Sequence, residues 1–250
     1  MPLPKIATPT YELELPSTGK TIQYRPFLVK EEKLLVIALE SEDTKQITTA
    51  IKAVLKSCVL TKGIKVDHLP TFDIEYLFLN IRGKSVGEEV DVNIIAPDDG
   101  VTEIPVQINL DDIQVQKSEE HTNEIVLDDS LRMEMKYPSL SEFINSNFDF
   151  NEEDNMEKSF DLIGSCIDKI YNEEEVWAAG DCTKKEIKDF LEQMNSKQFK
   201  EIERFFETMP KLSHTIKVTN PATKVKSEVV LEGLSSFSHR HDPYGSRGIL

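Results

Sequence analysis

The feature that most constrains the fold is a dense apolar block at residues 69–94, LPTFDIEYLFLNIRGKSVGEEVDVNI. Thr71 or Asp73 is suited to cap a helix that runs to about Arg82, and Gly83 is expected to end it. This helix is apolar nearly all round, whereas a surface helix of a globular protein is apolar on one stripe. The sequence therefore predicts either burial on several faces or a surface that awaits a partner.

The N-terminal part is typical of a β-hairpin followed by two helices. Residues 11–15 and 21–25 alternate apolar and polar side chains around the turn-forming residues 16–20. Helices are expected from 30 to about 42 and from about 44 to 58. The second helix has the clearest pattern, because its apolar residues fall on one continuous stripe: Ile47, Ala50, Ile51, Val54, Leu55 and Cys58. Core packing explains that stripe without a ligand.

The central part, residues 86–136, is predicted to be an antiparallel β segment. Apolar and polar residues alternate at 90–94, 104–108 and 131–135, around acidic turns such as PDDG at 97–100.

Residues 137–210 are predicted to be helical. A short helix is expected to precede a longer one at 154–171. Thr183 and Glu186 form a capping box ahead of apolar residues at helical spacing. This last stretch predicts a helical hairpin or a kinked long helix.

A closing β-hairpin is predicted at residues 214–237. Its turn is Asn220-Pro221-Ala222-Thr223, in which the fixed φ of proline is expected to hold the chain. Beyond the turn, Leu234 and Phe237 form an apolar hook that could dock on the helices or on a partner. The positions expected to be buried are Ile216, Val218, Val225, Val229 and Leu231.

These elements together predict an α+β fold, with an N-terminal hairpin plus helices, a central antiparallel β segment, and a C-terminal helical region closed by a β-hairpin. The expected regions are 1–136, 137–210, 211–237 and 238–250. The last of these is a polar segment with Gly and Pro that we expect to be a flexible tail.

Composition and charge exclude several classes of partner. A net charge of −16 with scattered lysines disfavours nucleic-acid binding, which depends on neutralising phosphates. No apolar run approaches the roughly 20 residues of a membrane span. The three cysteines are odd in number and widely spaced, which fits a reducing cytoplasm rather than a disulfide framework. An acidic surface suits a basic protein partner.

A search for chemical motifs finds none. The glycines form neither G-x-G-x-x-G nor G-x-x-x-x-G-K-[ST], and there is no G-x-S-x-G or H-E-x-x-H. Carboxylate clusters at 151–155 and 172–175 lie in polar segments, where the pKa shifts that catalysis needs are not expected. His239 and His241 are interpreted as flexible surface. The sequence therefore predicts no catalytic residue, cofactor, metal or small-molecule substrate, and favours an assembly or interaction protein.

Four stretches, at 10–35, 69–90, 135–140 and 230–237, occur in an order that is fairly specific when they are taken together. In the first, two strands lead through Arg25-Pro26-Phe27 into a helix. The second carries the densest signature: Phe72, Asp73, Glu75, Tyr76, Leu77, Phe78, Arg82, Lys84, Ser85, Val86 and Gly87. With these stretches the chain resembles the baseplate hub and hub assembly proteins of T-even-type contractile-tailed phages.

The resemblance implies a non-enzymatic hub component or hub assembly factor that acts through other hub or tail proteins. It implies work in the host cytoplasm during assembly and, for a resident subunit, a place in the virion's tail baseplate. Relatives can carry a Cys-x-x-Cys knuckle in the closing turn, whereas this turn has no thiolate to bind zinc. The signature block and the apolar hook are the expected partner-binding positions: Phe72, Tyr76, Leu77, Phe78, Arg82, Leu234 and Phe237.

Two other functions stay open at this point. A tail assembly chaperone for the tape-measure protein is compatible with the hairpin and helices at residues 11–58. A hub hydrolase that cleaves the cell wall would require carboxylates, or a His/Cys pair, that converge in a cleft.

Overall fold

The structure, a computed structural model, describes residues 6–41, 43–139, 142 and 156–233. The described residues form six α-helices and eleven β-strands, which pair in small antiparallel sheets and confirm the α+β prediction. The helices are α1 Val29–Glu40, α2 Thr44–Cys58, α3 Thr71–Val86, α4 Met156–Cys166, α5 Lys184–Glu192 and α6 Ser196–Thr208. The strands are β1 Tyr11–Glu14, β2 Thr21–Tyr24, β3 Glu89–Ile95, β4 Glu103–Asn109, β5 Gln114–Gln116, β6 Glu124–Val126, β7 Arg132–Met135, β8 Ile167–Tyr171, β9 Val176–Ala178, β10 Lys211–Thr219 and β11 Lys226–Glu232.

The chain divides into two compact units. The first comprises Met1–Val66, Phe72–Gln116 and Lys211–Leu250, and the second comprises Asp67–Thr71 and Lys117–Pro210. Strand β10 pairs with β5, which joins the closing hairpin to the first unit. Whether the four predicted regions are separate domains stays a prediction. No helix in the described ranges is long and apolar enough to cross a bilayer.

The first unit begins with the predicted hairpin, in which β1 and β2 pair antiparallel. Helix α2 starts where the Asp43 carboxylate accepts hydrogen bonds from the backbone N–H groups of Lys45 at 2.8 Å and Gln46 at 3.4 Å, a typical N-cap. Most of the stripe predicted for α2 is buried as expected: Ala50, Ile51, Val54, Leu55 and Cys58.

Helix α3 is buried on several faces, which is one of the two outcomes that its sequence predicts. The helix continues through Gly83 to Val86, so the predicted end at Gly83 is wrong. Gly83 is helical and buried, and a Cβ there would lie in ordinary van der Waals contact, 3.6 Å from a methyl group of Leu110. The chain instead turns away at Gly87, whose φ of 123° favours glycine.

The closing hairpin packs against the central strands of the first unit. Its strands join β5 in a sheet of order β11-β10-β5, while β3 and β4 form a separate pair. Ile216 and Val218 are buried as predicted, and Val229 and Leu231 are partly buried. Val225 is exposed, contrary to the prediction, because it lies between the turn and the start of β11. The buried members of this core are Leu79, Val90, Val92, Ile94, Ala96, Ile104, Ile108, Leu110, Ile113, Leu212, Ile216 and Val218.

The second unit packs helices against a four-stranded sheet of order β6-β7-β8-β9. The helix predicted at 154–171 is wrong in its last part, because α4 ends at Cys166 and residues 167–171 form β8, which pairs with β7. The stretch after Thr183 forms two helices, since Asn195 caps α6 separately. The buried core between the helices and the sheet of the second unit consists of Ile125, Leu127, Met133, Met135, Leu162, Ile163, Cys166, Ile167, Leu191, Ile202, Phe205 and Phe206.

Candidate functional site

The described residues contain no group of three or more His, Cys, Asp or Glu side chains placed to hold a metal ion. Burial raises the pKa of the Cys58 thiol to about 11 and that of the Cys166 thiol to about 12. A thiol is nucleophilic as its thiolate, so both side chains are protonated and unreactive at neutral pH. Cys58 is therefore a small buried hydrophobe, as its place on the α2 stripe predicts.

The predicted partner-binding residues of the signature lie in α3 and face the interior of the chain. Phe72, Leu77, Phe78 and Arg82 are buried. Tyr76 is half-buried, and its hydroxyl donates to Gln114 Oε1 at 3.2 Å. The two residues of the apolar hook, Leu234 and Phe237, lie outside the described residues. Partner binding at these seven positions stays a prediction.

Other signature residues connect α3 to the N-terminal stretch. The fully buried Asp73 carboxylate accepts hydrogen bonds from the Ser17 backbone N–H, at 3.0 Å, and from the Ser17 hydroxyl. At the other end of the helix, the Ser85 hydroxyl accepts from the Phe27 N–H at 3.0 Å. Because these bonds join residues 56 and 58 positions apart, the signature fixes the hairpin and the following loop onto α3.

A buried ion pair supports the start of α1. The Arg25 guanidinium donates to Glu31 Oε1 at 2.9 Å and to the Ser57 hydroxyl at 2.8 Å, and that hydroxyl donates to Glu31 at 2.7 Å. Burial alone would raise the pKa of Glu31. The hydrogen bonds from Arg25, Ser57 and the Leu28 N–H, with the charge of Arg25, outweigh that effect and lower the pKa to about 2.

The turn of the closing hairpin is held mainly by the side chain of Asn220, which is 1% exposed. Its amide donates to Asp98 Oδ1 at 3.1 Å and to Asp99 Oδ2 at 2.8 Å. Its Oδ1 accepts from the backbone N–H groups of Ala222 at 2.8 Å and Thr223 at 3.3 Å. Hydrogen bonds from Thr223 and Asn220 lower the pKa of Asp98, and hydrogen bonds from Thr102, Val101 and Asn220 lower that of Asp99, so both carboxylates are ionised at neutral pH. The PDDG turn of β3 and β4 thus anchors a turn more than a hundred residues away.

The second unit has a polar cluster around His121. The Nδ1 atom of His121 lies 2.9 Å from the Thr208 hydroxyl, and Nε2 lies 3.1 Å from Asn123 Oδ1 and 3.0 Å from the Tyr137 hydroxyl. The imidazole also stacks on Tyr137. Burial lowers the pKa of His121, which favours the neutral imidazole. Sequence reasoning missed this cluster, because its members have no local spacing that would signal it.

Helix α1 has an exposed face on which aliphatic side chains alternate with lysines, and sequence reasoning also missed it. Val29 is 79% exposed, Leu34 40% and Ile37 55%. Lys30 and Lys33 lie beside them in sequence and are exposed as well. Exposed aliphatic side chains favour contact with another protein where they are covered together.

A groove of about 790 Å³ lies between β6 and α6. Three contacts connect the elements that form its walls. The Gln198 amide donates to the Leu127 carbonyl at 2.7 Å, Arg204 pairs with Glu120 at 2.8 Å, and His121 Nδ1 lies 2.9 Å from the Thr208 hydroxyl. Five carboxylates and three cations line it, so the groove is acidic: Glu120, Glu124, Asp128, Asp129, Glu201, Arg132, Lys197 and Arg204.

Comparison with known families finds one match that covers most of the chain. The sequence model described as T4 bacteriophage base plate protein matches residues 8–238. Searches of curated proteins and of solved structures find no match. The matched range includes β1, the signature helix α3 and the closing hairpin, so it spans the stretches that carry the resemblance. The chain therefore belongs to the T4 bacteriophage base plate protein family.

Proposed function

We propose that the chain is a non-enzymatic component or assembly factor of the baseplate hub, which acts by protein–protein contacts during tail assembly in the host cytoplasm. The family match over residues 8–238 is the observation that carries this proposal, since the family is one of baseplate proteins. The choice of the hub within the baseplate depends on the resemblance of the four sequence stretches.

The roles of the buried and half-buried titratable groups support a non-enzymatic function. Glu31 and Asp73 have their carboxylates engaged by hydrogen-bond donors of the same unit. His121 is surrounded by Thr208, Asn123 and Tyr137. Each of these groups stabilises the fold in the way expected of buried polar side chains.

The exposed face of α1 supports contact with another protein. Removing aliphatic side chains from water favours association, at about 25 cal/mol per Å² of apolar surface. Val29, Leu34 and Ile37 offer such surface without unfolding any part of the chain. We propose this face as one contact through which the protein works in tail assembly.

Deletion of the gene tests the function. We expect infected cells to accumulate tail parts without complete baseplates, visible by electron microscopy of lysates. The reason is the resemblance to hub proteins, which implies that the outer parts of the baseplate, the wedges, gather on the hub. Normal tails from the deletion would contradict the proposal. Complete baseplates without a tape-measure protein would indicate a tape-measure chaperone, and cell-wall cleavage by the purified protein would indicate a hub hydrolase.

Mass spectrometry of purified virions separates the two forms of the proposal. A resident subunit is expected at a few copies per particle, whereas an assembly factor is expected to be absent although tails fail without it.

The α1 face is tested by complementation with Leu34→Ser plus Ile37→Ser, which we expect to fold and to restore few tails. Val101→Ser, at an aliphatic side chain that is also exposed, is the matched control and should restore them fully. Full restoration by the α1 variant would exclude this face.

A further inference from the structure

Strand β6 is the outer strand of its sheet and pairs with β7 on one side. Along this ladder, the Met135 N–H donates to the Asn123 carbonyl at 2.8 Å, and the Leu127 N–H donates to the Leu131 carbonyl at 3.0 Å. The Asn123 carbonyl and the Leu127 N–H therefore point toward β7, whereas the Leu127 carbonyl accepts from Gln198 on α6. Successive residues of a strand direct these groups to opposite sides, so residues 124 and 126 direct theirs to the open edge.

The open edge is available for a further strand. The Glu124 N–H donates to the Thr122 hydroxyl at 3.1 Å, a local contact that a stronger partner can replace. In the part of the chain that the structure describes, no strand pairs with Val126 on this side, and its side chain is 54% exposed. An unpaired strand edge is a template for adding a strand from another chain.

The opposite wall of the groove is one face of α6. Gln198, Glu201, Phe205 and Thr208 line it at helical spacing. Gln198 and Arg204, which contact the other wall, are six residues apart in α6. This spacing corresponds to about 9 Å along the helix axis. About three residues of an extended strand cover that length. The Arg204–Glu120 pair is solvent-exposed, and such pairs contribute little, so it can open for a longer segment.

The charge of the groove indicates what it accepts. Arg132 and Arg204 are already paired with Glu124 and Glu120. The remaining lining charges are Asp128, Asp129 and Glu201 against the single cation Lys197. A second copy of this chain would bring another net charge of −16 to an acidic edge, which disfavours self-association. A segment with lysine or arginine side chains complements the groove.

We propose that the groove between β6 and α6 binds an extended, lysine- or arginine-bearing segment of another baseplate protein, which adds a strand to β6 beside residues 124–126. The identity of the partner as a baseplate protein depends on the function proposed above, whereas the mode of binding does not. The segment's backbone pairs with Val126, and its basic side chains approach Asp129 and Glu201.

A synthetic probe tests the mode of binding directly. The probe is a fluorescent decapeptide of alternating lysine and valine, and two control peptides replace lysine by glutamate or carry N-methyl groups on alternate backbone amides. We expect the first peptide to bind the full chain at moderate salt and both controls to bind at least about tenfold more weakly, the value of one to two hydrogen bonds. Equal binding of the N-methylated peptide would exclude strand addition, and equal binding of the glutamate peptide would exclude a basic segment.

Val126→Pro is the substitution that tests backbone pairing at the open edge most directly. Its N–H faces the open edge, so proline removes a donor that the β6–β7 ladder does not use and is tolerated there. We expect an unchanged melting temperature and about tenfold weaker probe binding. Val126→Ala keeps the N–H and should bind within about twofold of wild type. Equal binding by Val126→Pro would overturn the proposal. Protection of the Val126 amide from hydrogen exchange on binding, followed by NMR, is a second readout.

Charge reversal on α6 separates the groove from general attraction. Glu201 lines the groove, whereas Glu203 lies on the same helix outside it. We expect Glu201→Lys to weaken probe binding about fivefold, in the range of a reversed surface pair, and Glu203→Lys to leave it nearly unchanged. Equal weakening by both would indicate non-specific attraction to an acidic protein and would overturn the proposed site.

The chain's own residues 238–250 are the alternative occupant, because they carry Arg240 and Arg247. Truncation after residue 237 should leave probe affinity unchanged, whereas tighter binding would show that the segment competes for the groove. Failure of the groove proposal can be told apart from failure of the hub function proposed above. Loss of probe binding by Val126→Pro with normal tails places the groove outside assembly, and a deletion that assembles normal tails rejects the hub function whatever the probe does.

Discussion

Asn220 provides the strongest test of how the first unit is held together. Asn220→Ala removes an amide that donates to Asp98 and Asp99 and an oxygen that accepts from two backbone N–H groups of the turn. The net contribution of one hydrogen bond to the free energy of unfolding is about 0.5–1.5 kcal/mol, and the bonds to the two carboxylates are at the upper end of that range. We expect a loss of about 2–3 kcal/mol in the free energy of unfolding. A loss of that size is a large fraction of the stability of a typical domain.

Asn220→Asp distinguishes the hydrogen bonds from the space that the side chain fills. The aspartate keeps the oxygen that accepts from the turn, but it replaces the donating amide by a third carboxylate beside Asp98 and Asp99. We expect it to destabilise more than alanine at neutral pH. The excess should decrease as the pH falls and these carboxylates become protonated.

Urea unfolding followed by circular dichroism measures both variants, and hydrogen exchange of the β10 amides reports on the first unit directly. Asn93→Ala is the matched control, because Asn93 also donates to a carboxylate, that of Glu103, but is exposed. We expect it to change the free energy of unfolding by less than about 0.5 kcal/mol. An Asn220→Ala variant as stable as this control would refute the role of the buried amide.

Three further predictions follow from burial and charge. Leu77→Ala should cost about 3 kcal/mol of stability in urea unfolding, whereas Ile37→Ala, the exposed comparison, should cost less than about 0.5 kcal/mol. The pKa of Glu31 is lowered to about 2, so its stabilising contribution is present above the usual carboxyl pKa near 4.5 and is lost as the pH falls toward 2. Glu31→Gln should flatten the stability profile in that window, and an unchanged acid transition would contradict it. In the native protein, Cys182 should react with a thiol reagent while the two buried cysteines react after unfolding.

The sequence predicts the elements of this protein where one periodicity dominates. The stripe of α2 and the alternation of β3 and β10 each specify both the element and its buried face. The prediction is wrong at residues 167–171, where Ile167 and Ile170 continue a helical pattern. Pairing with β7 overrides that local pattern, and the partner strand lies more than 30 residues away. Local patterns cannot include such a partner.

Long-range polar contacts explain most of what sequence reasoning did not find. Asp73 with Ser17, Asn220 with Asp98, and the His121 cluster join residues far apart in the sequence. Polar side chains of these types are common on surfaces, so nothing in a single sequence marks them as buried. The groove beside β6 was not predicted for the same reason, since it is formed by two elements about 70 residues apart.

Helix α3, in the apolar block at residues 69–94, is buried on several faces. Leu77 and Phe78 are buried in α3, and the polar signature residues Asp73 and Ser85 fix the N-terminal stretch to the same helix. Residues with these roles define a fold, so they support membership in the family more directly than they identify a partner. Contacts with other baseplate proteins require exposed groups, and we propose the exposed face of α1 and the open edge of β6 for this role. A substitution in α3 that disturbs assembly would therefore act first through stability, whereas one at Ile37 or Val126 can disturb assembly in a folded protein.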